Sequence, residues 1–210
     1  MMGAVGTIDF RRPRSALATV DSSRRAAGRE RAAADFYCEP RWAVEGLLDV
    51  QRFAGSVWDP ACGRGTIPEA FKSRGHLTIA SDLHERGYGP GGRDFLAWQP
   101  FGNEAPPVVD NIVSNPPFAI AEPFLRQALR LARHKVALLL RLSWAEGQGR
   151  RWIWDESPIA AIHPFAARVS MPPGDSHVAA KGGAVAFAWF IWSQDWQGPP
   201  IMRRIERRPA

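Results

Sequence analysis

Residues 109–118 read Val-Asp-Asn-Ile-Val-Ser-Asn-Pro-Pro-Phe. Val109 to Ser114 has the β-branched, mostly apolar character of a strand. Two consecutive prolines carry no N–H to continue a ladder, so the chain must leave the sheet at Asn115. A carboxamide, two rigid backbone units and the ring of Phe118 therefore follow directly on the C-terminal tip of a strand. In an open α/β sheet that is the end where ligands bind.

The same arrangement recurs upstream. Ser56 to Trp58 reads as a short buried strand ending at Asp59-Pro60, followed by Ala61, Cys62 and the tight turn Gly63-Arg64-Gly65. Ile67 to Arg74 then reads as a helix, with Gly75 as its C-terminal stop. Leu77 to Ser81 is the next strand. It ends at Asp82-Leu83, and a loop rich in glycine (87, 89, 91 and 92) leads to Asp94-Phe95-Leu96. Before these elements, Pro40 starts a helix whose apolar stripe (Trp42, Val44, Leu47, Leu48) runs to about Val50. Downstream, Ala121 to Arg133 is an amphipathic helix and Val136 to Leu142 is the most hydrophobic strand. A polar loop follows at Gly147 to Arg151, with a short helix or turn at Trp152 to Trp154. Ala166 to Met171 and Ala184 to Trp192 read as two late strands with no long helix between them.

Strands alternating with helices predict an α/β fold: a mostly parallel sheet with helices on both faces and an antiparallel hairpin at one edge. The domain is expected over 35–200. Residues 1–34 lack sustained apolar periodicity, apart from a helical stretch at Ser22 to Ala34, and read as a basic tail. Residues 201–210 read as a second basic tail.

The net charge of +6 sits at the ends. Residues 1–34 carry seven Arg against three acids and residues 201–210 carry four Arg against one, which leaves 35–200 at −1. Arginine-rich ends suit phosphate backbones, and equally serve as solubilising tails. No apolar run reaches the roughly 20 residues of a membrane span. Arg11, Arg12 and Arg14 arrive too early for a secretory signal, and Asp9, Asp21 and Glu30 argue against a transit peptide. Cys38 and Cys62 are the only cysteines, which suits a cytoplasmic setting, and no Cys/His cluster has zinc-ligand spacing. No metal is expected.

The chemistry available at the strand tips follows from the residue types. An acid before a glycine turn, as in Asp59 to Gly65, lets backbone approach a ligand closely. A carboxylate such as Asp82 at the next tip can accept both hydroxyls of a ribose. The third glycine of a dinucleotide fingerprint is missing, which disfavours an NAD-type protein, and nothing resembles a phosphate-binding Lys-Ser/Thr. An adenosine with an amino-acid tail fits better. At Asn115 the side-chain oxygen and the Pro116 carbonyl can each accept one N–H from an amino group. Adenine's exocyclic nitrogen is a poor nucleophile because its lone pair is delocalised into the ring. Two acceptors favour the pyramidal nitrogen of a transition state. Phe118 offers a face for a planar target. Neither cysteine sits in the Pro-Cys pair of an enzyme that attacks cytosine C5.

On these residues the chain resembles the class I S-adenosylmethionine-dependent methyltransferases. It looks closest to the amino-methyltransferases with an (Asp/Asn/Ser)-Pro-Pro-(Tyr/Phe/Trp) motif, of the short phage or prophage DNA N6-adenine type. The resemblance covers roughly Asp35 to Trp192 and implies a Rossmann-like, seven-stranded sheet with S-adenosylmethionine as cofactor. It implies that Phe36, Tyr37 and Pro40, in Asp-Phe-Tyr-Cys-Glu-Pro, touch the cofactor. Glu39 stands where the family often has Thr. It further implies that Asp59, Pro60, Ala61, Cys62, Gly63 and Gly65 hold the amino-acid end, that Asp82 and Leu83 hold the ribose, and that Asp94-Phe95 reads the adenine. Asn115, Pro116, Pro117 and Phe118 are then the catalytic motif. The expected partner is DNA, or else RNA, with no membrane. The motif also serves RNA bases and protein glutamine, and a non-catalytic binding module could keep the fold. Intact Asp59, Asp82 and Asn115 argue against that last alternative.

Overall fold

A computed structural model describes residues 35–98, 107–174 and 185–207. The N-terminal stretch 1–34 and its expected helix lie outside the described residues, as do 208–210. Four helices and seven strands make up the described fold: α1 (Arg41–Val50), β1 (Val57–Asp59), α2 (Thr66–Lys72), β2 (Thr78–Ala80), β3 (Val109–Ser114), α3 (Ala121–Leu131), β4 (Ala132–Arg141), α4 (Arg151–Asp155), β5 (Ile159–Pro164), β6 (Phe187–Ser193) and β7 (Ile201–Met202). The strands form one seven-stranded sheet in the order β2-β1-β3-β4-β6-β5-β7. The β2-β1-β3-β4 half is parallel, and β6 runs antiparallel to both β4 and β5. This is the mostly parallel sheet with an antiparallel hairpin that the sequence predicts. The hairpin is flanked on its outer side by β7, which pairs parallel to β5.

Burial on both faces follows from the pleat of the strands. Along β4, Val136, Leu138 and Leu140 pack with Trp58, Ile112, Phe190 and Trp192 under Phe124, Leu125 and Ala128 of α3. Ala137 and Leu139 point the other way, with Val57, Val113 and Trp189, onto Val44 and Leu47 of α1 and Ile67 and Phe71 of α2. Alternate residues thus feed two cores, and both faces carry helices, which is why β4 reads as one continuous apolar run.

Three sequence expectations need correction. The fifth strand is Ile159–Pro164, not Ala166 to Met171. Ile-Ala-Ala-Ile-His is buried on both faces and so lacks the alternation that marks a half-exposed strand. Within 166–171 only Val169 is buried. Next, β4 begins at Ala132, four residues earlier than expected, because α3 ends at Leu131. Finally, residues 201–205 are not separate from the domain: Ile201–Met202 form β7, and Ile205 is buried in the α1 face of the core. Among the described residues no helix is long and apolar enough to cross a membrane.

Candidate active site

Asp59 ends β1, and its neighbour across the parallel ladder is β3, so the tips of the two strands lie side by side. Ser114 Oγ donates to Asp59 Oδ1 at 2.7 Å, and the Ala61 N–H reaches the same oxygen at 3.2 Å. Asp59 is buried, and its carboxyl sits well above the ordinary range. Loss of solvation is the main cause, and the neighbouring Glu39 and Asp82 carboxylates add to it.

The turn that follows is built on left-handed glycines. Gly63 has φ +52° and Gly65 has φ +86°. A side chain at either would be strained, and would also meet an aromatic ring: Phe36 over Gly63, Tyr88 over Gly65. Asp82 clamps this turn to the second strand tip. Its Oδ2 accepts the Gly63 N–H and its Oδ1 accepts the His84 N–H, each at 2.9 Å. Two of the four lone-pair positions of that carboxylate remain for a ligand. Leu83 beside it is 52% exposed. The Cys62 thiol is buried and pushed up to about 12, chiefly by burial and next by Asp59, so it is no thiolate nucleophile.

The segment Asp35 to Pro40 crosses in front of both tips. It is held by the 171–174 segment, through Cys38 N–H to Pro172 O at 3.2 Å and Gly174 N–H to Phe36 O at 2.9 Å. Pro40 then caps α1. From this segment two groups grip the motif carboxamide. Asn115 Nδ2 donates to Tyr37 O and to Glu39 Oε2, both at 2.9 Å. These two acceptors fix the amide orientation. Oδ1 of Asn115 and the carbonyl of buried Pro116 accept no hydrogen bond among the described residues. Phe118 lies between Tyr37 (centroids 5.9 Å apart, 23° between planes) and Phe187 (5.8 Å, 34°), with the Arg141 guanidinium 5.0 Å from its centre.

The structure therefore brings together Phe36, Tyr37, Asp59 to Gly65, Asp82 and Asn115 to Phe118. Phe95 goes elsewhere. Its ring is packed edge-on against Trp58 and tilted on Phe124, and its carbonyl accepts from Gln127. A phenyl ring beside Trp58 gains more from burial than from a polar crevice. Asp94 is exposed, and its Oδ1 accepts the Leu96 N–H at 2.9 Å.

Sequence reasoning missed Glu39, Ser114 and Tyr88 as parts of the site. Glu39 could have been found, since a carboxylate in place of Thr beside a strand-tip cluster is a departure that demands a partner. Tyr88 carries no such signal. The tryptophans after β4 are mostly structural. Trp144 packs edge-on against Phe190 and Trp192, and Trp152 donates to Glu122 at 2.9 Å. Only Trp154 is exposed. His163 is a core histidine, with Nδ1 donating to Arg203 O at 2.8 Å.

No family model matches the sequence, and no curated protein matches it. Solved structures do match in fold. One is a modification subunit of a candidate type I restriction enzyme from Vibrio vulnificus YJ016 (TM-score 0.55, 16% identity, 80% of this chain and 46% of that one). Another is a candidate RNA methyltransferase from Pyrococcus horikoshii (TM-score 0.50, 17% identity, 72% and 79%). A third is a candidate class I S-adenosylmethionine-dependent methyltransferase from Listeria monocytogenes (TM-score 0.50, 13% identity, 79% and 62%). The chain spans about half the length of the restriction subunit. At these identities the likeness is one of architecture, and the architecture is the Rossmann-like fold of class I methyltransferases.

Proposed function

We propose that this chain transfers a methyl group from S-adenosylmethionine to an exocyclic amino nitrogen, and that the nitrogen is N6 of adenine in DNA. One observation carries the reading. The Asn115 amide is tied down through its Nδ2 alone, at a strand tip whose neighbour holds the Asp59–Gly65 turn. That leaves Oδ1 and the Pro116 carbonyl as the two acceptors for an NH2 group.

The residues present fit the cofactor. Glu39, Asp59 and Asp82 converge with no cation paired to them among the described residues, and a ligand bearing a sulfonium and an ammonium complements that charge. Asp59 and the turn through Gly65 would hold the amino-acid end, Asp82 and Leu83 the ribose, Asp94 the adenine amino group, with Phe36, Tyr37 and Pro40 alongside. When bound, S-adenosylmethionine would supply an electrophilic methyl group for the amine to accept, with its thioether as the leaving group. The chain contributes position and electrostatics. Asn115 Oδ1 and the Pro116 carbonyl orient the amine and favour its pyramidal form. Pro116 and Pro117 hold the backbone rigid where the carbonyl is needed. An adenine in a duplex must first be flipped out. Phe118 and the basic ends of the chain favour a nucleic acid over a protein amide. The neighbours named for restriction modification and RNA methylation agree with that class.

The test is methyl transfer from labelled cofactor to DNA, RNA and protein in parallel, followed by nucleoside and amino-acid analysis. N6-methyladenine in DNA is expected, falling about 10²- to 10³-fold in Asn115→Ala. Label in RNA or glutamine would move the substrate. Label in C5-methylcytosine, or full activity in Asn115→Ala, would defeat the mechanism.

A further inference from the structure

Glu39 enters the reading above as one of three converging acids and as an acceptor for Asn115, with its effect on the reaction left unstated. It occupies the position before Pro40, at the start of α1, and only 9% of it is exposed. Its Oε2 accepts from Asn115 Nδ2 at 2.9 Å. The other acceptor of that NH2 is a backbone carbonyl, Tyr37 O, also at 2.9 Å, with Met171 Sδ further off at 3.9 Å. We propose that Glu39 is a positioning residue for Asn115: its carboxylate and the Tyr37 carbonyl hold the amide so that Oδ1 faces the target nitrogen, and protonation of Glu39 releases half of that hold. The inference rests on the methyl-transfer reading for its consequence in catalysis, but the clamp itself is a property of the protein alone.

The chemistry is that of an ambivalent amide. A carboxamide can present oxygen or nitrogen by a half-turn about its last torsion, and only the oxygen end accepts from an amine. With Glu39 ionised, the turned orientation would set Oδ1 against a carboxylate and a carbonyl, three acceptors facing one another without a proton. A charged acceptor also makes the stronger hydrogen bond and draws electron density toward Oδ1, which improves it as an acceptor. With Glu39 protonated, its carboxyl carries a donor O–H for Oδ1 and an acceptor C=O for the NH2, so it can serve either end of the amide, and Tyr37 O alone opposes the turn.

The surroundings place this change within an accessible pH range. Burial pushes the Glu39 carboxyl up to about 7, against the hydrogen bonds from Asn115, its own backbone and Thr66. The groups facing it are Asn115 from the β3 tip, Thr66 from the first position of α2, Asp59 from the β1 tip and the Tyr37 backbone; none is a cation, and Asp59 is an acid in contact with Ser114. The sign follows: the hold is complete above the Glu39 pKa, and the half of it that Glu39 supplies is lost as pH falls through it. A bound sulfonium would favour the ionised form and move the loss to lower pH.

Two measurements separate the clamp from the reaction. In ¹⁵N-labelled protein without ligand, the Asn115 side-chain NH2 cross-peak, identified by its absence in Asn115→Ala, is expected to shift with a midpoint near 7. In Glu39→Gln that shift is expected to vanish while the rest of the spectrum keeps its dispersion. Glu39→Asp, which keeps a carboxylate, serves should the Gln variant misfold, and its midpoint should move. An Asn115 cross-peak that does not titrate in the unmodified protein overturns the proposal. In the second measurement, kcat for methyl transfer is followed from about pH 5.5 to about pH 9. The unmodified enzyme should lose rate on the acid side, and Glu39→Gln should be flat there and slower by about tenfold or more on the plateau. Superimposable profiles overturn the proposal. Absence of transfer to any substrate would overturn the proposed function instead, and the cross-peak would still decide the clamp.

Discussion

At the scale of single residues, Gly65 shows most sharply how the turn after β1 constrains sequence. Its φ of +86° belongs to glycine, and the place of a missing Cβ is taken by the ring of Tyr88. Tyr88 is itself anchored, its hydroxyl donating to Glu69 Oε1 at 2.6 Å one turn into α2. Gly65→Ala must therefore strain the backbone and displace the ring that covers the turn. The backbone strain is expected to cost about 1–2 kcal/mol. The readout is the urea midpoint, together with calorimetric titration of S-adenosylmethionine. A midpoint unchanged from the parent would mean the turn relaxes freely. The pattern Asp-x-x-x-Gly-x-Gly made this glycine legible as a tight turn. Tyr88 was not legible, because a loop residue 23 positions downstream reaches Gly65 only through the folded path Asp82–Pro90, closed by Asp82 N–H to Pro90 O at 3.1 Å.

At the scale of elements, legibility follows periodicity and punctuation. Val109–Ser114 is where the sequence places it, because two prolines end it and no alternative continuation exists. α1 is bounded as clearly by Pro40. β5 was missed since burial on both faces erases alternation, and Pro164 at its end reads as a breaker although the chain continues into a bridge from Phe165 to Ile205. β6 was found from its composition, and it ties the two layers together. Trp189 lies wholly within the α1 face of the core, and its indole N–H donates to Ala43 O at 3.0 Å. Trp192 lies on the opposite face and donates to Ser157 Oγ at 3.0 Å. Truncating such a side chain removes its transfer energy and leaves a cavity. Trp189→Ala is expected to cost about 3–5 kcal/mol, read as a fall in the urea midpoint at unchanged slope. A loss below about 1 kcal/mol would show that α1 closes over the space.

For the whole molecule, the described C-terminal residues complete the sheet. Met202 pairs with Ile162 of β5, Ile205 N–H donates to Pro164 O at 2.8 Å, and Ala166 N–H donates to Ile205 O at 2.9 Å. Ile205 is 1% exposed, and its side chain fills the place where a Cβ on Gly46 of α1 would stand. Charge concealed this role in the sequence, since four arginines around two isoleucines read as a solvated tail. Ending the chain at Pro200 would expose the outer edge of β5, remove the Arg203 O that holds buried His163 Nδ1, and open the α1 face of the core at Gly46. Burial of Ile205 is worth about 2–3 kcal/mol, and each lost hydrogen bond about 1 kcal/mol. Part of that is recovered as freed chain entropy. A net loss of roughly 3 kcal/mol corresponds to about 6–12 °C in Tm for a chain of this size. Thermal unfolding of the shortened chain against the full chain measures it. Ile205→Ala should reproduce most of the fall, whereas Arg204→Ala, a surface pair with Glu206, should leave Tm nearly unchanged. Equal Tm values for the full and shortened chains would return residues 201–207 to the status of a basic tail.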